Sequence, residues 1–222
     1  ITLTDEEKDF AIRVGLEKKI AEIKEFLWFE KCNRKKTIYK IDPNQILHIA
    51  VIDLCREAKL NIGEFIQTED FKVYEKLAFY FSNNEEFEKE DMSLEKGILL
   101  FGPVGCGKTS AINYFRMIGS VTFPLISCNK VANDYKKDGV GAMEKYINMQ
   151  YVCFDDLGTE ASTKNFGDEK NVMTEVLLGR YEKRLKTHII TNLSSEEIEQ
   201  YYGNRVRSRL REMINQIEFP EG

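Results

Sequence analysis

The sequence of 222 residues lacks the marks of several classes of protein. No apolar stretch approaches the length of a membrane span, and no signal-peptide pattern opens the chain, so we expect no membrane partner. Basic residues are not in excess, because 32 Lys and Arg stand against 37 Asp and Glu, for a net charge of −5. Any surface that binds nucleic acid must therefore be local. Internal repeats and low-complexity segments are also absent from the sequence.

Paired cysteines are missing too. The five cysteines lie at positions 32, 55, 106, 128 and 153, mostly inside apolar runs, and none forms a C-x-x-C pair. Their odd number and scattered spacing argue for reduced thiols in the cytoplasm and against a zinc site. An apolar fraction of 42% is enough for a hydrophobic core. Because the chain begins at Ile1 rather than Met, we expect a segment upstream of it.

The most informative stretch of the sequence is a phosphate-binding motif. Residues 102–109 read Gly-Pro-Val-Gly-Cys-Gly-Lys-Thr, which matches G-x-x-x-x-G-K-[ST] in full. The motif follows an apolar strand pattern at 97–101 and opens onto a helical pattern at 110–117. This context separates a true phosphate loop from a chance glycine-rich turn. The sequence therefore predicts a site for a nucleoside triphosphate.

The residues of this loop have distinct expected roles. Its glycines let backbone N–H groups curl around a polyphosphate at the positive end of the helix. Lys108 is expected to reach the β- and γ-phosphates, and the Thr109 hydroxyl to ligate Mg²⁺. Cys106 is either a redox switch or a small filler, and the second is favoured because the backbone does the binding. The predicted nucleotide-binding residues are Gly102, Gly105, Cys106, Gly107, Lys108, Thr109 and Ser110.

Two carboxylates, Asp155 and Asp156, follow a second apolar strand pattern at 151–154. Ligands of open α/β sheets gather at the carboxyl ends of the strands, so both acids are expected near the phosphate loop. Asp155 suits Mg²⁺, directly or through water. Asp156 stands where a hydrolytic P-loop enzyme places the residue that activates the attacking water.

Asn192 follows a third strand pattern, at 188–191. Its amide is expected either to contact the γ-phosphate and the attacking water or to cap the next helix. Ser194 and Ser195 are themselves good caps, which favours the functional interpretation. His188, at the start of the strand, is interpreted as structural.

Four arginines lie close together near the end of the sequence, at Arg205, Arg207, Arg209 and Arg211. On a helix, Arg205 and Arg209 share one face, and Arg207 and Arg211 share another. Spacing alone leaves three interpretations open: a solvated helix face, a nucleic-acid patch, or an arginine finger delivered to the phosphate of a neighbouring subunit.

Beyond the phosphate loop, strand and helix patterns alternate, which predicts a parallel sheet with helices on both faces. Strands are predicted at 97–101, 121–127, 151–154, 188–191 and 217–219. Helices are predicted at 129–146 with an interruption at Gly139 and Gly141, and at 171–186, 194–202 and 204–214. Upstream helices are predicted at 44–59, with His48 in the core or as a cap, at 68–81, and in a segment that carries Ile12, Leu16, Ile20, Ile23 and Leu27.

Taken together, the motifs resemble those of AAA+ ATPases in the group of the DnaC and DnaI helicase loaders and the IstB transposase helpers. The resemblance spans about residues 65–219. The segments that carry it are Gly102–Thr109, Phe154-Asp155-Asp156-Leu157-Gly158 with Glu160, Thr191-Asn192-Leu193, and 205–213. It implies an α/β P-loop NTPase (AAA+) fold of three αβα layers with a parallel five-stranded sheet. A small α-helical, partner-binding region at 1–62 would precede the ATPase domain at 63–222, and no C-terminal lid domain is expected.

The resemblance also implies residue roles. Lys108 belongs to the Walker A motif, Asp155 and Asp156 form Walker B, and Asn192 is sensor 1. Arg209 occupies the arginine-finger position, with Arg205 one turn earlier in a supporting or phosphate-sensing role.

The segment at 129–147 falls where this group inserts an extra helix associated with single-stranded DNA. Four lysines of this segment either contact DNA phosphates or form a solvated helix face. They are Lys130, Lys136, Lys137 and Lys145.

The function implied is ATP-dependent loading or escort of a replicative helicase, with ATP or ADP and Mg²⁺ as cofactors. Single-stranded DNA and further copies of the chain, assembled on ATP binding, are the other expected partners. An IstB-like helper of a transposase has the same core and a different client. A P-loop small-molecule kinase is the rival from another class, and it would not need Arg209 at a subunit interface. Because Asp156 replaces the usual Glu, a nucleotide-gated DNA-binding protein with slow turnover also stays open.

Overall fold

The computed structural model describes Lys19 and residues 40–160, 163–165 and 168–220 of the chain. The apolar positions of the helix predicted between Ile12 and Leu27 lie outside the described residues. Among the helices that are described, none is long and apolar enough to cross a membrane.

Within residues 40–96, three helices precede the first strand, and each begins at a side chain that caps it. They are α1 (Pro43–Ala58), α2 (Ile62–Phe65) and α3 (Glu69–Phe81), followed by a 3-10 turn at Glu85–Glu90. The side chains of Asp42, Asn61 and Thr68 accept hydrogen bonds from backbone N–H groups in the first turns of α1, α2 and α3. These bonds satisfy donors that have no partner within the helix, so the capping residues fix where the helices start.

Strands and helices then alternate, as predicted. The elements are β1 (Gly97–Phe101), α4 (Lys108–Ile118), β2 (Leu125–Ser127), α5 (Cys128–Asp138), α6 (Val140–Ile147), β3 (Tyr151–Leu157), β4 (Thr163–Asn165), β5 (Asp168–Lys170), α7 (Val172–Glu182), β6 (Lys186–Thr191), α8 (Ser195–Met213) and β7 (Ile214–Glu218). The interruption predicted at Gly139 separates α5 from α6.

Five of the strands form one parallel sheet in the order β2-β3-β6-β1-β7. β4 and β5 pair separately as a short antiparallel ribbon. Because β6 lies between β1 and β3, the carboxyl ends of these three strands meet at one edge of the sheet. The phosphate motif follows β1, the two aspartates end β3 and Asn192 follows β6, so the topology brings all three together.

Helices cover both faces of the sheet, which confirms the three αβα layers. Strand side chains alternate between the faces. Those that pack with α1, α3 and α4 are Ile98, Leu100, Cys153, Ile190 and Ile217. Those buried on the opposite face, toward α5 to α8, are Leu99, Val152, Phe154 and Ile189.

α1 belongs to this core although it precedes residue 63, where we placed the start of the ATPase domain. Ile46, Ala50, Val51 and Cys55 of α1 lie in the same hydrophobic cluster as β1. Residues 40–62 are therefore part of the same folded unit as the sheet. The partner-binding role expected for 1–62 stays a prediction. His48, expected in the core or as a cap, is instead exposed on the outer face of α1.

Several predicted boundaries differ from the structure. β2 begins at Leu125 rather than Val121, since the preceding Pro124 has no N–H to donate to a ladder. The helix predicted to reach residue 186 ends at Glu182. Arg184 adopts a left-handed φ of 52°, which stops the helix and lets β6 begin at Lys186. β7 likewise starts at residue 214, before the predicted 217.

The break predicted between residues 202 and 204 is present. α8 runs through Ser195–Met213, but Gly203 has φ 82° and ψ 163°, outside helical values. A residue with a β-carbon would be strained in this conformation. The arginines at 205–211 therefore lie on a second helical segment that is bent away from the first.

A buried arginine, Arg180, connects α7 to β6, to the end of α6 and to the loop before β3. Its side chain is fully inaccessible and donates to Thr187 Oγ1 (2.8 Å) and to the carbonyls of Met149 (2.7 Å) and Lys186 (2.9 Å). It also donates to the carbonyls of Tyr146 (2.9 Å) and Ile147 (3.3 Å), at the end of α6. Burial lowers the pKa of Arg180 to about 9, so the group stays charged at neutral pH.

His188 is buried beneath α3, in β6. Its Nδ1 accepts a hydrogen bond from the backbone N–H of Ile98 (3.1 Å), and its ring contacts Phe123 at a centroid distance of 4.6 Å. Burial, and then the charges of Lys186 and Arg180, lower the pKa of His188 to about 3. The imidazole is therefore neutral in the folded chain, and it joins β6 to β1.

We expect His188 to make the protein less stable below pH 6.5. Between the folded pKa of about 3 and the unfolded value of about 6.5, the unfolded chain binds one more proton. The stability contributed by the neutral, buried imidazole of His188 is therefore fully present above pH 6.5 and is lost as the pH falls below this value. The loss should reach about 2 kcal/mol in the free energy of unfolding between pH 7 and pH 5. His188→Asn keeps an acceptor for Ile98 and does not titrate, so chemical denaturation should show a smaller slope with pH. Equal slopes in the two proteins would contradict this account.

Candidate functional site

The phosphate loop joins β1 to α4 in the conformation that its glycines allow. Gly102, Gly105 and Gly107 have φ values of 146°, 86° and 94°, which L side chains rarely adopt. Gly107 is the N-cap of α4 and makes no side-chain capping bond. The first turn of α4 therefore presents backbone N–H groups at the positive end of the helix dipole, where an anion is stabilised.

The base of the loop is held against the end of the last strand. A β-carbon on Gly102 would lie 2.6 Å from the carbonyl oxygen of Phe219, closer than real contacts allow. The N–H of Phe219 donates to the carbonyl of Phe101 (2.8 Å). β7 thus fixes the position from which the loop leaves the sheet.

Lys108 is buried and turned into the loop. Its Nζ donates to the carbonyls of Gly102 (2.9 Å) and Pro103 (2.6 Å) and lies 3.4 Å from the Cys106 sulfur. These are neutral acceptors, and phosphate oxygens would form stronger charge-assisted bonds with the same ammonium. The chemistry of the loop therefore fits a polyphosphate.

Thr109 and Asp155 form a pair of oxygen ligands beside the loop. The Thr109 hydroxyl donates to Asp155 Oδ1 (3.2 Å), which also accepts the N–H of Asp156 (3.0 Å). Burial, and then the negative charge of Asp156, raise the pKa of Asp155. A divalent cation bound by these oxygens would offset both effects.

Among the described residues, no group of three or more His, Cys, Asp or Glu side chains is arranged to hold a metal ion. The pair of Thr109 and Asp155 fits the alternative, in which Mg²⁺ takes one or two protein oxygens and completes its shell with phosphate and water.

Asp156 and Asn192 face a common pocket with the phosphate loop. The pocket has a volume of about 250 Å³ and is lined by Val104, Gly105, Gly107, Lys108, Thr109, Ser110, Asp156 and Asn192. Asp156 has a left-handed φ of 55°, at an irregularity in the pairing of β3 with β6. Asn192 is exposed, whereas Ser194 caps α8 in a reciprocal capping box with Glu197. Asn192 thus lines the pocket and is not needed as the cap of α8, and its role toward the γ-phosphate or the attacking water stays a prediction.

Glu160 is sealed away from this pocket. Only 7% of its surface is exposed, and its carboxylate accepts from the N–H of Gly158 (3.0 Å), from Asn171 Nδ2 (3.1 Å) and from the Tyr202 hydroxyl. A carboxylate held by three donors is a poor base for water, and Asp156 lines the pocket instead. Of the two carboxylates only Asp156 lines the pocket, and its role in activating water stays a prediction.

The arginines lie away from the pocket. Arg209 donates to the Tyr181 hydroxyl (3.1 Å) and to Glu212 (2.9 Å), and its guanidinium lies over the Tyr181 ring, 4.7 Å from the centroid. Tyr181 precedes the amino end of β6, whereas Asn192 follows its carboxyl end. Because β6 has 6 residues, about 20 Å of strand separates these two ends. Arg205 is exposed and lies 3.8 Å from Glu182.

Arg207 plays a different part from its neighbours. It donates to Ser195 Oγ (3.1 Å) and to Glu199, both on the first segment of α8. These bonds cross the break at Gly203 and hold the two segments together.

The lysines of the predicted DNA-contacting segment lie on α5 and α6. Lys130 forms an ion pair with Asp134 (2.9 Å), which makes it less available to bind a DNA phosphate. Lys136 and Lys137 are exposed at the end of α5. The segment thus presents a small basic surface rather than an extended one.

Three residues with structural roles were not identified from the sequence. Tyr202 anchors Glu160, Arg180 anchors the strands, and Asn129 donates from its side chain to Thr159 Oγ1 (3.0 Å). An arginine within the apolar pattern of α7 was a usable signal, because a charge buried on a helix must be paired. A tyrosine before a glycine break carries no comparable signal.

The sheet order, the phosphate loop and the paired aspartates define a P-loop NTPase fold of the AAA+ type. Among solved structures, the chain is similar to the crystal structure of the DnaC helicase loader, with a TM-score of 0.52 and 17% identity, covering 67% of this chain and 89% of that one. It is similar to the crystal structure of DnaI, with a TM-score of 0.53 and 18% identity, covering 82% and 93%.

A third similar structure is the replication initiator DnaA bound to AMPPCP and single-stranded DNA. The TM-score is 0.50 and the identity 19%, with 72% of this chain and 49% of that one covered. The sequence matches no protein-family model and no curated protein sequence. At these identities the likeness concerns the fold, and it confirms the fold that the motifs led us to expect.

Proposed function

We propose that this chain is a Mg²⁺-dependent ATPase that assembles with further copies of itself, binds single-stranded DNA and loads or escorts a replicative helicase. The observation that carries the proposal is the convergence of the phosphate loop, Asp156 and Asn192 on one pocket. An AAA+ fold without these side chains would support no reaction.

Nucleotide binding is supported by the chemistry of the loop. The uncapped first turn of α4 and the buried ammonium of Lys108 provide donors for a polyphosphate. Thr109 and Asp155 would hold Mg²⁺ against the β- and γ-phosphates, where the cation neutralises developing charge. DnaA, which has a similar fold, was solved with AMPPCP.

Hydrolysis is supported by the placement of Asp156 and Asn192. Both polar side chains reach the pocket from strands adjacent in the sheet. Asp156 would accept a proton from the attacking water, and Asn192 would orient that water or the γ-phosphate. Aspartate is shorter than the glutamate usual in this fold, so we expect turnover to be modest.

Assembly is supported by the position of Arg209. Its contacts lie at the opposite edge of the sheet from its own pocket, so it is out of reach of that pocket, which supports a role toward another subunit. An arginine supplied by a neighbour would stabilise charge on the transferred phosphoryl group. The same placement disfavours a monomeric kinase, which would complete its site within one chain.

The partners are proposed from the similar structures and the local surface. DnaC is described as a helicase loader, and DnaA was solved with single-stranded DNA. Lys136 and Lys137 provide an exposed basic surface on α5 for a DNA backbone. A reducing cytoplasm would suit the four free cysteines of the described chain.

Replacing Lys108 with Ala should weaken Mg-ATP binding. The loop loses its side-chain cation, and the loss should be about 2–4 kcal/mol, measured by titration calorimetry. Lys137→Ala is the control, since it removes an exposed lysine on another helix. Because Lys108 also bonds to loop carbonyls, thermal denaturation of both variants should accompany the titration. An unchanged affinity for Mg-ATP in a folded Lys108→Ala protein would contradict the assignment of this loop as the nucleotide-binding site.

Substitutions of Asp155 and Asp156 should affect ATP binding and hydrolysis in different ways. Asp155→Ala should lose Mg²⁺-dependent activity altogether, because it removes a metal ligand. Asp156→Asn should keep Mg-ATP binding while turnover falls about 10²-fold or more, the usual weight of a general base. A phosphate-release assay with a parallel binding titration separates these outcomes. Parent-like turnover in Asp156→Asn would mean that another group activates the water.

Arg209→Ala should abolish ATPase activity with ATP binding nearly intact. The parent's specific activity should rise with protein concentration and with added single-stranded DNA. The loss should be about 10³-fold, as for other arginine fingers. Arg211→Ala, which removes an exposed arginine from the same helix, is the matched control and should retain activity.

Mixing Arg209→Ala with Asp156→Asn protein tests whether the arginine acts on another subunit. Some interfaces in the mixture pair an intact arginine with an intact aspartate, so part of the activity should return. If the specific ATPase activity of the parent does not depend on protein concentration and no mixture of variants restores activity, the arginines form a surface patch. The monomeric kinase then becomes the better supported function.

A further inference from the structure

A buried polar cluster connects the end of β3 to the helix that carries the arginines. Its centre is the Glu160 carboxylate, which accepts from Gly158, Asn171 and Tyr202. Gly158 follows Asp156 by two residues, and Tyr202 lies immediately before the break in α8. Glu160 and Tyr202 are both buried and neither lines the pocket, so direct contact with a nucleotide does not account for the bond between them.

On one side, the cluster fixes the turn that contains Asp156. The N–H of Thr159 donates to the carbonyl of Asp156 (3.1 Å), and its hydroxyl donates to the same carbonyl (2.8 Å). Within this turn, the N–H of Gly158 is bound by Glu160 Oε2. Asp156 itself is held at a left-handed φ of 55°, which a non-glycine residue keeps only when its surroundings impose it. Glu160 acts on this turn through the N–H of Gly158, two residues after Asp156.

On the other side, the cluster anchors α8. Tyr202 is 6% exposed and donates its hydroxyl to Glu160 Oε1. Burial, and then the charge of Glu160, raise the pKa of Tyr202 well above its usual range, so the hydroxyl stays protonated and remains a donor. The first segment of α8 is thereby attached to the turn after β3.

The second segment of α8 is attached to the first through Arg207. Arg207 bonds to Ser195 and Glu199 across the break at Gly203. Arg209 lies on this second segment, two residues further on. Asp156 is therefore linked to the segment of Arg209 in two steps: the hydrogen bonds of Glu160 join its turn to Tyr202 on the first segment of α8, and those of Arg207 join that segment to the second.

We propose that Glu160 is a positioning residue for the hydrolytic reaction, and that with Tyr202 it fixes Asp156 relative to the helix that carries Arg209. The proposal rests on the proposed ATPase function. On this proposal, the buried carboxylate of Glu160 holds two groups in fixed positions relative to each other. They are Asp156, which activates water in its own subunit, and Arg209, which acts on the nucleotide of the next subunit. Loosening the cluster should therefore impair the chemical step and spare nucleotide binding.

Tyr202→Phe is the sharpest test, because it removes one hydroxyl and keeps the ring. Its kcat should fall about tenfold, since small displacements of a reacting group lower rates steeply, while the Kd for Mg-ATP stays within about twofold of the parent. Amide hydrogen exchange at residues 156–160 should quicken, as Glu160 loses an anchor. Glu160→Gln, which keeps one acceptor oxygen, should retain more activity than Glu160→Ala.

Two tyrosine variants control for a merely structural effect. Tyr201→Phe removes the hydroxyl of the exposed neighbour. Tyr114→Phe breaks a bond of the same kind, to Glu57 (2.7 Å), away from the pocket. Both should keep the parent kcat.

An unchanged kcat in Tyr202→Phe, in a parent that hydrolyses ATP, overturns the proposal. A fall shared equally by Tyr114→Phe would overturn it too. If the parent protein shows no Mg-ATP turnover, the proposed ATPase function is wrong. Amide hydrogen exchange then still tests whether Tyr202 is coupled to the turn that contains Asp156. Unchanged exchange at Gly158 in Tyr202→Phe then rejects it.

Discussion

The fold depends on a buried charge that is solvated by the backbone. Arg180 donates to four carbonyls and one hydroxyl, and these acceptors belong to the end of α6, the loop before β3 and the start of β6. A bare guanidinium could not be buried, because its desolvation would be too costly. Here the carbonyl dipoles replace water. The elements that supply the carbonyls are thereby fixed relative to one another at the amino edge of the sheet.

The contacts of Arg180 at the amino edge of the sheet also affect the geometry at the carboxyl edge, because β3 and β6 run from one edge to the other. β3 and β6 are neighbours, and their register is continuous from Tyr151 opposite Lys186 to Phe154 opposite Ile189. Asp156 and Asn192 leave these same two strands at the other end and meet at the pocket. A slip of one residue would move every side chain to the opposite face. Arg180 therefore fixes β6 and the loop before β3 at the amino edge, and a shift of register between Phe154 and Leu157 then sets the position of Asp156.

The sequence predicted the sheet class and the pocket because both rest on local signals. The phosphate motif, the strand that ends in Asp155 and Asp156, and the strand before Asn192 each carry a pattern readable over a few residues. Boundaries set by other forces were missed: Pro124 shortened β2, and Arg184 ended α7 early. Glu160 and Tyr202, 42 residues apart in sequence, form a bond that no local pattern encodes. Their contact exists only because the sheet and α8 bring them together.

Both cations of the proposed reaction are already engaged by their own chain. Lys108 bonds to carbonyls of the loop, and Arg209 bonds to Tyr181 and Glu212. Each bond must be exchanged for one to a phosphate before that cation can act. The exchange is favourable only where the incoming acceptor carries more charge than the one it replaces. Lys108 leaves neutral carbonyls, whereas Arg209 must leave a carboxylate as well, so Arg209 is the harder of the two to release. In the proposed reaction, nucleotide binding would therefore precede assembly, and the step that engages Arg209 would be the one that limits hydrolysis.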